Sequence, residues 1–181
     1  MFELNYRVLA QYNKITNDKM NSYIQEISEK QWNTDFNGYF KSIHELCSHI
    51  YICDFNWLKR FGELREFNTL SNAFFDKNHS FSETLFQNIN DYLIMRSELD
   101  DIIVNFISEL STNDLDAVLQ FTDSKGIKFA RKMEPLILHM FNHETHHRGM
   151  ISLYLELLGI ENEFSSSLYK NDNIAFGANN E

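Results

Sequence analysis

Four histidines, His139, His143, His146 and His147, fall within the stretch His139-Met140-Phe141-Asn142-His143-Glu144-Thr145-His146-His147-Arg148-Gly149. Imidazole is the commonest protein ligand for divalent metal ions. Residues four apart on a helix share one face about 6 Å apart along the axis, so His143 and His147 can both reach a single ion. His139 and His147 are about 12 Å apart along that axis, too far for ligand bonds of about 2.0–2.1 Å, so only one of the overlapping pairs can serve. At about 100° per residue from His143, Leu136, Met150 and Tyr154 fall within about 20° of it and His147 within about 40°, whereas His146 lies about 60° to the other side. His143 and His147 therefore sit in an apolar stripe, where a polar ring must find a partner or pay a desolvation cost. A shared metal ion is one such partner, leaving His139 as a wall of the site or a hydrogen-bonding neighbour.

Those two ligands are not enough for a closed site. His49 follows Leu46 by three residues and precedes Cys53 by four. That places it on or beside the inward face of a different helix and makes it the best third ligand. Three ligands leave a position for water or substrate. Cys53 reads either as a competing thiolate ligand or as a small buried hydrophobe. His44 and His79, taken singly, read as hydrogen-bonded core histidines. Arg148 suits either a substrate anion or an ion pair. His143-Glu144-Thr145-His146-His147 also matches H-E-x-x-H, in which the glutamate would act as general base on a metal-bound water. The longer metzincin form needs glycine and histidine where this chain has Met150 and Leu153, and no sheet is expected that could bind a peptide along its edge. Glu144 lies about 100° from His143 around the helix and is expected to face away from the ligands. No catalytic acid or base can be assigned.

Long helices must position these groups. Pro135 suits a first turn and Gly159 a stop, so the histidine helix is expected between them. Tyr6, Leu9, Ala10, Asn13, Met20, Tyr23, Ile24 and Ile27 recur mostly at three and four, predicting a first helix over about residues 3–27. Residues 28–38 read as a connection. A second helix is expected over about residues 39–61, with Ile43, Leu46, Cys47, Ile50, Cys53, Trp57 and Phe61 inward. The link from Gly62 to His79 carries Phe67, Leu70, Phe74 and Phe75, which read as an aromatic cap on one end of the bundle, with a lid as the lesser alternative. Ser80-Phe81-Ser82-Glu83 has the form of a capping box opening a third helix that runs to about Ser111. Around Asp123-Ser124-Lys125-Gly126, Leu119, Phe121, Ile127 and Phe129 alternate as in a small hairpin. The expected fold is all-α, a four-helix bundle over residues 1–165 with a small β-hairpin before the last long helix. A polar tail follows at 166–181.

With 181 residues, 43% of them apolar, the chain can bury a core as one domain. Sixteen basic against twenty-six acidic residues give a formal charge of −10, which disfavours a phosphate-backbone binder. No apolar run approaches the roughly 20 residues that span a bilayer, and the start lacks a signal-peptide pattern, so a soluble cytoplasmic protein with neither nucleic-acid nor membrane partners is expected. Cys47 and Cys53, six apart on a predicted helix, point to different faces and do not pair.

These residues resemble a known family. Phe40-Lys41-Ser42-Ile43 leading to His49-Ile50, then Asp54 and Trp57-Leu58, then Asn142-His143-Glu144-Thr145-His146-His147-Arg148-Gly149 ending at Leu158-Gly159, are similar to the DinB-like proteins. These are damage-inducible, metal-binding four-helix bundles that also include thiol-dependent S-transferases, and the likeness spans roughly residues 3–160. It implies that the metal is held by a histidine of the second helix and two of the last, mapping onto His49, His143 and His147. Met150 is a departure, because the family usually has glutamine after His-Arg-Gly. The resemblance further implies transfer involving a low-molecular-weight thiol and a homodimer. Imidazole ligands suit Zn²⁺ and Ni²⁺ alike. Metal-assisted hydrolysis of a small molecule and a non-catalytic, metal-binding stress-response role are the alternatives.

Overall fold

The computed structural model describes residues 2–71, 73–123 and 125–164; the tail expected at 166–181 lies outside the described residues. Four long helices, α1 (Phe2–Ile24), α3 (Ile43–Phe61), α4 (Ile89–Glu109) and α6 (Met133–Leu157), are joined by short elements: α2 (Glu29–Trp32), a 3-10 turn (Ala73–Asp76), α5 (Thr112–Asp116) and the strands β1 (Val118–Thr122) and β2 (Lys128–Lys132). α1 packs on α4 and α6, and α3 packs on the same two, so the four close a ring around one core. This is the four-helix bundle with a hairpin before its last long helix. Among the described residues no helix is long and apolar enough to cross a membrane.

Local chemistry sets each boundary. α1 stops at Ile24 rather than running to residue 27, because Ser28 and Gln31 form a capping box that starts α2 as a separate turn. α3 begins at Ile43, four residues later than expected from the pattern. Ser42 caps it by accepting the Glu45 N–H at 3.2 Å, and Glu45 Oε2 accepts the Lys41 N–H at 2.8 Å. The capping-box pattern at Ser80–Glu83 does not open a helix. The Glu83 N–H closes a turn onto the Ser80 carbonyl at 3.1 Å, the Leu85 N–H is taken by Ser48 Oγ at 3.1 Å, and the cap is Asn88, which accepts the Asp91 N–H at 2.9 Å. A tertiary bond has overridden a local signal. In the hairpin Phe121 pairs with Phe129 in antiparallel register, and the strands end where α6 begins. Pro135 lies in the first turn of α6, and the Ile160 N–H bonds back to the Leu155 carbonyl at 3.0 Å past Gly159. The aromatics of the 62–79 link pack inward: Phe67 on Phe106 at 5.2 Å, and Phe74 and Phe75 on Phe55 at 5.6 and 5.1 Å between ring centroids. They cap the core and are not a lid on the histidines.

Candidate metal centre

α3 and α6 face each other, and each presents donors one helical turn apart: His49 and Cys53 on α3, His143 and His147 on α6. The Nε2 atoms meet at the seam. His143 Nε2 lies 3.1 Å from His49 Nε2 and 3.0 Å from His147 Nε2. A ring nitrogen offers one in-plane N–H or one lone pair, so His143 can make one good hydrogen bond there and not two. A cation removes that conflict by accepting a lone pair from every ring. Edges of a tetrahedral site built with bonds of about 2.0–2.1 Å are about 3.4 Å long, so the rings need open by only a few tenths of an ångström. His49, Cys53 and His143 offer donor atoms that all lie within 4.8 Å of one another, a group that can hold a metal ion.

The electrostatics suit ligation. Burial, and then the neighbouring His49 and His139, push His143 down to about 4. Burial, and then His143 and His49, push His147 down to about 3, and burial lowers His49. All three rings are therefore neutral at pH 7, the form that binds metal. Burial, and then Asp54 beside it, push the Cys53 thiol up to about 12, so without a cation it keeps its proton.

The His143 and His147 Nδ1 atoms are buried and take no hydrogen bond among the described residues. Packing orients the rings instead. Phe40 lies over His49 at 4.5 Å and meets the edge of His147 at 5.3 Å. Phe40 is itself held from behind: its carbonyl accepts the Tyr154 hydroxyl at 2.6 Å, and Phe36 stacks on the Tyr154 ring at 4.3 Å. Gly38 allows this approach, since a Cβ there would meet the Tyr154 hydroxyl at 2.2 Å. On the other side His139 is exposed, with its ring 5.6 Å from Trp57 and 6.0 Å from His143, the wall position expected of it. His146 is exposed beside His147 at 4.8 Å between centroids. His44 bonds Asn33 Oδ1 at 2.9 Å and stacks on Trp32, and His79 contacts Glu83 at 3.3 Å, both away from the centre. Met150 is partly buried against the core.

Glu144 does point away from the histidines, but into the protein rather than into solvent. It is 1% exposed and meets Arg148 at 2.7 Å, Arg96 at 3.5 Å and Asn17 at 3.1 Å. Arg96 also bonds Asp54 at 2.6 Å and Asp100 at 2.7 Å, and Asn17 bonds Asp100 at 2.9 Å. Arg148 is buried as well and donates to Asn13 and Asn17, so it is neither an exposed ion pair nor free to seize an anion. Burial and the negative Glu144 push Asp54 well above the usual carboxylate range. Burial alone would raise Glu144, but Arg96 and the bond from Asp54 outweigh it and hold this carboxylate low. Asp54 thus keeps its proton, burial raises Asp100 to about 7 against the pull of Arg96, and Glu144 is the carboxylate held charged beside Arg96 and Arg148. Sequence reasoning missed this network. Its trace was Arg96, four after Tyr92 and three before Leu99, a charge in the inward stripe of α4.

Fold and site together define a four-helix bundle with a histidine-rich centre between its second and last long helices. The model of the DinB family matches residues 1–172, and the chain belongs to that family. It is 24% identical over 151 residues to the protein DinB of Bacillus subtilis (strain 168), a match covering 83% of this chain and 84% of that protein.

Proposed function

We propose that this chain is a metal-dependent enzyme in which His49, His143 and His147 hold one divalent ion, Zn²⁺ or Ni²⁺, and that it joins a low-molecular-weight thiol, through its sulfur and with loss of the S–H proton, to a small electrophilic substrate. The observation carrying the reading is the meeting of three Nε2 atoms at 3.0 and 3.1 Å around His143, a geometry that hydrogen bonds alone cannot satisfy. When bound, such an ion lowers the pKa of a thiol or water held beside it. The chain's own residues do the rest. The three rings are neutral and meet at the seam between α3 and α6, His49 and His147 packed against Phe40. Phe40, Trp57 and His139 supply an aromatic wall for the apolar part of a substrate. The family resemblance supports the thiol, and with it a homodimer working in the cytoplasm. Hydrolysis through the H-E-x-x-H pattern is disfavoured, because Glu144 is tied to Arg148 and Arg96 and is no free base.

Elemental analysis of the purified protein, with a screen of small thiols against electrophiles, tests the reading. The expected result is one ion per chain, lost in His143→Ala, and metal-dependent consumption of thiol. Unchanged metal content in that variant would overturn the ligand assignment. A tightly held ion with no turnover of any thiol or ester would point to the non-catalytic, metal-binding role.

A further inference from the structure

The geometry points to Cys53 as a fourth ligand of the ion, bound as thiolate, so that the resting centre is a closed set of three imidazoles and one sulfur. This rests on the metal-site reading above and goes beyond it, since three histidines alone would leave a position open.

Three observations carry the inference. Cys53 stands one turn after His49 on α3 just as His147 stands one turn after His143 on α6, so two facing helices each offer a pair of donors on the same seam. Its Sγ lies 3.6 Å from His49 Nε2. A tetrahedral ion with a metal–nitrogen bond of about 2.0–2.1 Å and a metal–sulfur bond of about 2.3 Å has an N···S edge of about 3.6 Å. The sulfur is also 3.8 Å from His49 Nδ1, so it lies beside that ring and reaches the Nε2 side by rotating about its own Cα–Cβ bond; the donor atoms of His49, Cys53 and His143 lie within 4.8 Å of one another. Finally, the residue is only 7% exposed, so its sulfur belongs to the seam and not to the surface. Cys47, the other cysteine, is fully buried two turns earlier in the core and outside this group.

The ligation is acid–base chemistry without oxidation or reduction. The Cys53 S–H bond breaks, its proton leaves to water, and a sulfur lone pair forms the bond to the ion. A small thiol that binds the ion would have to take the place of Cys53, whose sulfur is the ligand displaced. A mixed imidazole–thiolate set also favours Zn²⁺ over harder ions.

Cobalt substitution tests this without relying on turnover. The full-length protein loaded with Co²⁺ is expected to show a near-ultraviolet thiolate-to-cobalt charge-transfer band. The band should persist in Cys47→Ser and vanish in Cys53→Ser and Cys53→Ala, which keep their bound ion through the histidines. Zn²⁺ affinity should fall in those two variants by more than the roughly 10–100-fold that losing an outer-shell partner costs. One bound Co²⁺ without the band in the unmodified protein would overturn the role of Cys53 and leave the three-histidine reading standing. Failure of the unmodified protein to bind Co²⁺ or Zn²⁺ would overturn both.

Discussion

Two polar clusters lie back to back on the same two turns of α6. His143 and His147 face α3, while their sequence neighbours Glu144 and Arg148 face α1 and α4. The charged cluster pairs opposite charges: Arg96 donates to Asp54 and Asp100 and Arg148 to Glu144, with Asn13 and Asn17 joined to them, while Asp54 Oδ1, Arg96 Nε, Asp100 Oδ2 and Glu144 Oε1 find no hydrogen-bond partner among the described residues. The histidine cluster has no pairing of charge: it sets three neutral ring nitrogens against each other and leaves the Nδ1 atoms of His143 and His147 unpaired among the described residues. The first arrangement neutralises charge inside the bundle, and the second gathers neutral donors that could hold a metal ion.

That contrast can be broken most forcefully at Arg96. Arg96→Leu strands Asp54, Asp100 and Glu144 in the core without their shared cation, and the expected loss is about 3–5 kcal/mol in urea unfolding, or failure to fold. A loss below about 1 kcal/mol would mean that the charged cluster does not hold the bundle together.

Acid acts on the other cluster. His143 and His147 titrate at about 4 and about 3 in the folded protein. In the unfolded chain they take up protons near the ordinary histidine value of about 6.5. Folded pKa values below the unfolded ones mean that the neutral rings carry no penalty above that value, and that stability is lost as pH falls below it. The metal-free protein should therefore weaken from about pH 6.5 downward. Thermal melts of the protein and of His143→Leu across that range check it. The raised pKa values of buried Asp54 and Asp100 act in the opposite sense in both, so a steeper acid loss in the unsubstituted protein is expected, and identical profiles would contradict the burial of the ring.

Tyr154→Phe removes the 2.6 Å bond to the Phe40 carbonyl, with an expected cost of about 0.5–1.5 kcal/mol. It should also loosen Phe40 over His49 and slow or weaken metal uptake, read by competition with a chromogenic chelator. The smallest effect on folding belongs to His143→Leu. In the metal-free protein it should change stability by less than about 1 kcal/mol, or raise it, because an apolar side chain suits the stripe better than an unpaired ring. A large loss there would erase the distinction between the two clusters.

The histidine centre was legible in the sequence because a helix converts spacing directly into a shared face, and His143, His147 and His49 obeyed that rule on their own helices. The bundle and its hairpin were legible for the same reason. The charged cluster was not. Arg96 and Asp100, four apart on α4, are turned inward where it packs on α1 and α3, and their partners Asn17, Asp54 and Glu144 come from three other helices that local spacing does not connect. The start of α4 was misread at Ser80 because Ser48, far away in sequence, claims the Leu85 N–H and so delays the helix until Asn88. What a local pattern cannot show is which backbone groups a distant side chain will take.

The close pass of Gly38 beneath the Tyr154 hydroxyl fixes more than a loop. It clamps the α2–α3 connection to the last helix at the very point where Phe40 reaches the histidines, which makes the length of that connection a design constant. An engineer lengthening residues 33–41 by even one position would carry Phe40 out of register with the rings. The 62–79 link is no freer, because Phe67 and Phe75 are buried in the core and Glu109 takes the Asn68 and Thr69 N–H groups.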